Sequence, residues 1–102
     1  MTVNLKSNEM VLKAGNSLHY AGTEKVQGKL ILTNQRLYFK PVEMSNPETQ
    51  FEILFSQIRE LIYFNFMKVF PRGLNIITKD GKELKFDIKK RDEWGKMINK
   101  MY

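Results

Sequence analysis

The side chains that could do chemistry are few, and none stands in a catalytic pattern. His19 is the only histidine, and it sits in a short alternating run where a lone imidazole reads as a structural group and not as a base. There is no cysteine to act as nucleophile, thiolate ligand or disulfide partner. Ser7, Ser17, Ser45 and Ser56 have no nucleophile motif around them. Asp80–Gly81 is followed by no carboxylates at ligand spacing, so it builds neither a calcium loop nor a metal pair. No GxGxxG or Walker-type glycine loop is present to cradle a nucleotide phosphate. The sequence therefore predicts a protein that is not an enzyme and that uses no metal and no cofactor.

What remains is binding chemistry. The chain carries a net charge of +6 with a pI near 9.6, a balance compatible with anionic lipid, nucleic acid or an acidic protein. Lys25, Lys29 and Lys40 fall in a stretch, residues 22–41, that holds four basic residues and one acid. Lys68 and Arg72 follow downstream, embedded in the apolar run Met67, Val69 and Phe70. Such a mixture suits an interfacial contact, in which apolar tips enter a lipid headgroup region and cations meet phosphate. The same tip suits a protein partner or a homodimer seam, because Phe and Met are enriched in interface cores. A third reading folds Val69 and Phe70 back beneath the segment 42–50. Glu43 and Glu48 in that segment would repel phosphate, which argues for diffuse attraction over a stereospecific pocket. Lys89, Lys90 and Arg91 are offset by Asp87, Asp92 and Glu93 and read as a solvated helix start. Nucleic acid ranks third as a partner, since the strand aromatics have core parity and no outward aromatic pair stands ready to stack bases.

The elements that must position these residues are mostly strands. Residues 29–33 and 36–40 read as a hairpin joined at Asn34–Gln35, with Asn supplying the positive backbone angle of a two-residue turn. Leu30, Leu32, Leu37 and Phe39 then bury one face, while Lys29, Arg36 and Lys40 reach water. Residues 1–16 suggest a lead-in or a helical turn ending at Gly15, and 17–21 a short strand before a turn at 22–24. The stretch 41–50, with two prolines, reads as a surface loop. Phe51, Ile53 and Phe55 share a face of the next strand. In 58–66, Ile58, Ile62, Phe64 and Phe66 share core parity, interrupted by Glu60. Strands at 73–79 and 83–88 flank Asp80–Gly81, a strong hairpin signal. In 90–102 the period changes, and Trp94, Met97, Ile98 and Met101 form the apolar stripe of a helix.

The 102 residues make one domain, 1–102. About seven short antiparallel strands with one apolar face each must close on themselves, with the one amphipathic helix plugging an open end and Trp94 deepest. No secretory leader and no apolar window of ~18 residues is visible, and the absence of cysteine fits a reducing cytoplasm. If the strands alternate up and down, the connections at 22–27, 42–50 and 66–72 share one end.

The run from Gly28 through Thr33, Asn34, Arg36, Leu37, Tyr38 and Phe39 resembles the signature hairpin of GRAM domains. Ile58, Arg59, Glu60, then Gly73 and Leu74, Asp80 and Gly81, Phe86, and Arg91 to Trp94 continue the likeness in order over about residues 9–98. The resemblance implies a mainly β, pleckstrin-homology-like fold, a seven-stranded bent sheet or partly open barrel capped by a C-terminal helix. It also implies a non-catalytic module that binds lipid or protein. The combined expectation is weak, salt-sensitive association with anionic membrane by a cytoplasmic protein peripheral to that membrane. The residues expected to carry it are Lys25, Lys29, Lys40, Met67, Lys68, Val69, Phe70 and Arg72. Protein interaction or homodimerisation is the alternative.

Overall fold

The computed structural model describes residues 5–21, 24–42 and 50–102. Its elements run β1 Val11–Ala21, β2 Glu24–Thr33, β3 Arg36–Pro41, β4 Phe51–Leu54, a 3-10 turn Phe55–Gln57, β5 Ile58–Phe66, β6 Phe70–Thr78, β7 Glu83–Ile88 and α1 Arg91–Asn99. The seven strands form one antiparallel sheet in the order β4-β3-β2-β1-β7-β6-β5. The sheet curls into a half-barrel, and α1 packs on β5 and β6. Leu30, Leu32, Leu37, Phe39, Ile53, Leu74, Ile76, Phe86 and Ile88 fill the concave side together with Trp94 and Ile98 of the helix. The mainly β architecture with a single capping helix is the one the sequence led to.

The central hairpin forms at the expected residues, with Leu32 opposite Leu37 and Leu30 opposite Phe39. Its turn works differently from the expectation. Neither Asn34 nor Gln35 takes a positive φ. The Thr33 hydroxyl instead accepts the N–H groups of Gln35 at 3.1 Å and Arg36 at 3.0 Å, satisfying the turn with a side chain. Asn34 is spent on the preceding segment: its Oδ1 accepts the Met10 N–H at 2.8 Å and its Nδ2 donates to the Asn8 carbonyl at 3.0 Å.

Three further expectations need correction. The lead-in is no helical turn: β1 starts at Val11 and pairs along β2 from Val11–Thr33 to Ala21–Glu24. A weakly patterned strand is stabilised here by its partner. Second, an extra residue in β5 between Ile58 and Glu60 shifts its register on β6, and the bulge inverts the parity that follows. Leu61 therefore packs on the core, while Ile62 is exposed. Third, β4 and β5 both end the chain of antiparallel pairings and so run the same way, which resets the up-and-down count. The β5–β6 connection thus falls at the opposite sheet end from the β1–β2 and β3–β4 connections. The turn at 22–23 and the loop at 43–49 lie outside the described residues.

At the β6–β7 turn, Gly81 takes φ +89°, and the Thr78 N–H donates to the Lys82 carbonyl at 2.9 Å. The three residues 79–81 thus close a type I turn with a left-handed residue at its end, where glycine carries no Cβ penalty. In α1, Trp94 and Ile98 are buried and Met97 partly so, as the spacing predicts. Asp92 and Glu93 occupy the first turn, where the helix dipole favours negative charge.

Candidate binding face

Alternation along β1 decides which side chains face outward. Ser17 and His19 are buried, so Asn16, Leu18 and Tyr20 project from the convex side. The register then places Tyr20 opposite Lys25, Leu18 opposite Gln27 and Asn16 opposite Lys29, with Lys29 opposite Lys40 one strand further on. On the other side, β7 sets Lys85 beside Tyr20 and Asp87 beside Leu18. Lys25, Lys29 and Lys40 thus share the convex face.

The β5–β6 hairpin ends at Met67 and Lys68, both with positive φ (51° and 66°), and a register shift between Phe64 and Phe66 bends the arm. Two contacts carry that arm across the convex face toward β1. The Phe66 ring lies 5.3 Å from the Tyr20 ring, and Arg72 Nε donates to Asp87 Oδ1 at 2.8 Å. Phe64 and Phe66 are therefore not core residues as their parity suggested. They are half-buried and form, with Tyr20, an aromatic strip under the tip. The Lys25 ammonium sits 5.7 Å from the centre of the Tyr20 ring, a cation–π distance.

The tip itself is apolar and open to solvent. Met67 is 83 % exposed, Val69 67 % and Phe70 49 %. Lys68 is exposed beside them, and Arg72 is half-exposed in its pair with Asp87. A shallow groove lies next to the tip, edged by Arg72 and Lys89 and floored by Leu18 and Gln27. All eight residues named from the sequence therefore lie on the convex face or at the hairpin tip that bends toward it. Tyr20 and Phe66, which join the two sets, were missed. The one signal for Tyr20 was its position next to His19, which makes it outward if His19 is inward.

Two titratable groups bear on the chemistry. His19 stacks among Phe39, Phe51 and Phe86 at centroid distances of 4.9–5.4 Å, with Nδ1 3.1 Å from the Lys85 carbonyl. Burial lowers its pKa from the ordinary 6.5, which leaves a neutral structural imidazole. Burial also raises the Tyr20 phenol, with the Asp87 charge adding to the effect. Arg36, expected in water, is instead buried: Nε and Nη2 donate to Glu9 at 2.8 Å and 3.1 Å, and Nη1 to Glu52. Arg91 is likewise no solvated cation, because Nη1 donates to the Phe64 and Gly73 carbonyls and the guanidinium lies 5.0 Å from the Tyr63 ring. Among the described residues no cluster of acidic, histidine or cysteine side chains could hold a metal ion. Nor is any helix there long and apolar enough to cross a membrane.

A curled seven-stranded half-barrel closed by one C-terminal helix defines a pleckstrin-homology-like domain, a class that serves as a lipid- or protein-binding module. The GRAM domain family model matches residues 3–102, and the chain belongs to that family. Among solved structures it is similar to the C-terminal domain of an unknown protein from Leishmania infantum, with a TM-score of 0.80 at 20 % identity over 93 % of this chain and 85 % of that one. It is also similar to the Vps36 N-terminal PH domain, with a TM-score of 0.75 at 15 % identity over 96 % of this chain and 82 % of that one. Comparison with curated proteins gives no significant match.

Proposed function

We propose that this GRAM domain is a non-catalytic module that associates with anionic membrane surfaces through the β5–β6 tip. Met67, Val69 and Phe70 enter the headgroup region, and Lys68, Arg72, Lys25, Lys29 and Lys40 supply the attraction to lipid phosphates. The observation that carries the reading is the exposure of three large apolar side chains, Met67, Val69 and Phe70, around Lys68, set next to a basic convex face. An exposed apolar tip on a folded domain marks an interaction surface. Each cation near an anionic bilayer contributes about 1 kcal/mol, so the attraction is modest and salt-sensitive. On this reading the protein works on the cytoplasmic side, peripheral to the bilayer.

A second reading rests on a different observation. β5 is an edge of the sheet, and Ile62 and Tyr63 are exposed along it. Such an edge can take a strand from a second copy or another protein.

Flotation with neutral and anionic vesicles, at low and physiological salt, separates the two. Wild type is expected to float with anionic vesicles at low salt, and Phe70→Glu is expected to stay behind. Failure of wild type to bind either vesicle at low salt overturns the membrane reading. A salt-insensitive dimer in sedimentation would then support the β5 edge.

A further inference from the structure

The edge strand β4 pairs with β3 on one side and with no described strand on the other. A second cavity of about 370 Å³ lies along it, away from the convex face, between β4 with its 3-10 turn and the β6–β7 turn. Phe51, Ile53 and Leu84 give this space an apolar floor. The two walls are tied together by the Lys79 N–H, which donates to the Gln57 carbonyl at 2.9 Å, so the space is preformed.

The hydrogen bonds at the end of β4 fix which of its backbone groups are open. Arg36, opposite Leu54, turns its N–H and its C=O toward Thr33 Oγ1 of β2, at 3.0 and 3.1 Å. The Leu54 N–H goes to Gln57 Oε1 at 2.9 Å. Arg36 and Leu54 therefore exchange no backbone bonds, and alternation along an antiparallel ladder makes Tyr38 and Glu52 another such pair. The N–H and C=O of Glu52 thus point out of the sheet, along the cavity that Glu52 lines, and meet no partner among the described residues. An open donor and acceptor on one residue of an edge strand are what an added strand pairs with.

Charge agrees with an uncharged backbone as the occupant. Glu52 shares Arg36 with Glu9, and Lys79 and Lys82 stand with Asp80 on the opposite wall, so three acids meet three bases. The walls are electroneutral. Their ammoniums, carboxylates and the Ser56 hydroxyl offer donors and acceptors alike, which suits the alternating N–H and C=O groups of a peptide.

We propose that this edge and cavity bind an extended peptide segment with apolar residues at alternate positions. The residue opposite Glu52 exchanges both backbone hydrogen bonds with it and turns its side chain to the convex side. The residues before and after it lie opposite Phe51 and Ile53 and point onto the apolar floor, against Leu84. Gln57, which caps the Leu54 N–H, ends the added ladder there. The site is separate from the membrane contact and does not depend on it.

The test is an NMR titration of the 102-residue protein with acetyl-Gly-Leu-Thr-Leu-Gly-amide. One control peptide is N-methylated at the threonine, which removes the N–H meant for the Glu52 carbonyl, and another has serine for both leucines. The parent peptide is expected to give saturable amide shifts at Glu52, Ile53, Lys79 and Lys82. N-methylation is expected to weaken binding roughly tenfold or more, the usual result of losing a hydrogen bond and stranding its partner. The serine peptide is expected to give no saturable shifts. Leu84→Trp, which fills the floor and is checked for an intact spectrum, is expected to abolish binding of the parent peptide. Equal binding of the parent and N-methylated peptides to wild type overturns the proposal, as does the absence of saturable shifts or their confinement to Ile62 and Tyr63 of β5. Shifts at residues 51–53 that follow protein concentration without peptide would assign the edge to a second copy and overturn it too.

Discussion

Arg36 shows how far a single residue can be read from its neighbours. Its strand parity points it to the convex side, away from Leu37 and Phe39, and that much is correct. The period of two does not say whether another segment covers that side. Here residues 6–10 fold over it, and Glu9, itself fixed by the Lys6 N–H at 2.8 Å and by Thr33 Oγ1 at 2.6 Å, meets the guanidinium. The Arg36 hydrogen bond holds the Glu9 carboxyl at about 2, down from an ordinary 4.5. A depressed carboxylate stabilises the fold above its unfolded pKa and loses that contribution as pH falls through the folded one. Stability in urea is therefore expected to drop between pH 4.5 and about 2, and Glu9→Gln to remove that part of the slope. At pH 7 the same substitution is expected to cost about 3 kcal/mol, the low end for breaking a buried pair, because Glu52 still holds Arg36. His19 was legible, as a lone histidine without a partner is most simply part of a core. Its lowered pKa destabilises the fold as pH falls below the ordinary 6.5, where the unfolded chain takes up a proton that the buried ring resists. His19→Phe is expected to flatten the fall in melting temperature between pH 7 and 5.5.

At the scale of elements, legibility followed locality. The central hairpin, the β6–β7 hairpin and α1 each announce themselves through turn residues or a clean period, and each forms where expected. β1 was missed over its first half because its pairing with β2 is what makes it a strand. The β5 parity was missed because a bulge leaves no reliable mark in sequence. Two glycines and one tryptophan hold the elements together. A Cβ on Gly73 would lie 2.5 Å from the Phe64 carbonyl oxygen, and one on Gly28 2.5 Å from that of Lys40. Gly73→Ala is expected to destabilise by ~1–3 kcal/mol through overpacking against backbone that cannot yield. Trp94→Ala empties the space beneath Gly15 and is expected to cost about 3–5 kcal/mol. Denaturant titrations of both variants check these values, and an unchanged midpoint in either contradicts the packing described.

For the molecule as a whole, composition made the candidate surface visible, while its assembly came only from the fold. Lys25 and the tip are some forty residues apart in sequence, and nothing local says that Phe66 would reach Tyr20. The expected common end for three connections failed for the same reason, since a curled sheet resets direction between its two halves. Among the described residues, Asp87 is the acid that meets the base of the tip, and it occupies Arg72. Asp87→Asn is therefore expected to strengthen binding to anionic vesicles, by about 1 kcal/mol or several-fold, without affecting neutral ones. Unchanged or weaker binding would remove Arg72 from the proposed contact.

The anchoring of Arg91 to the Phe64 and Gly73 carbonyls joins the start of the helix to the root of the β5–β6 arm. Neither can detach without stranding polar groups of the other. In hydrogen–deuterium exchange the amides of 64–73 and those of α1 should therefore open as one cooperative unit, and Arg91→Ala should raise the exchange of both together while β2 and β3 keep their protection. The far end of the chain then sets how rigidly the tip is held when it meets its target.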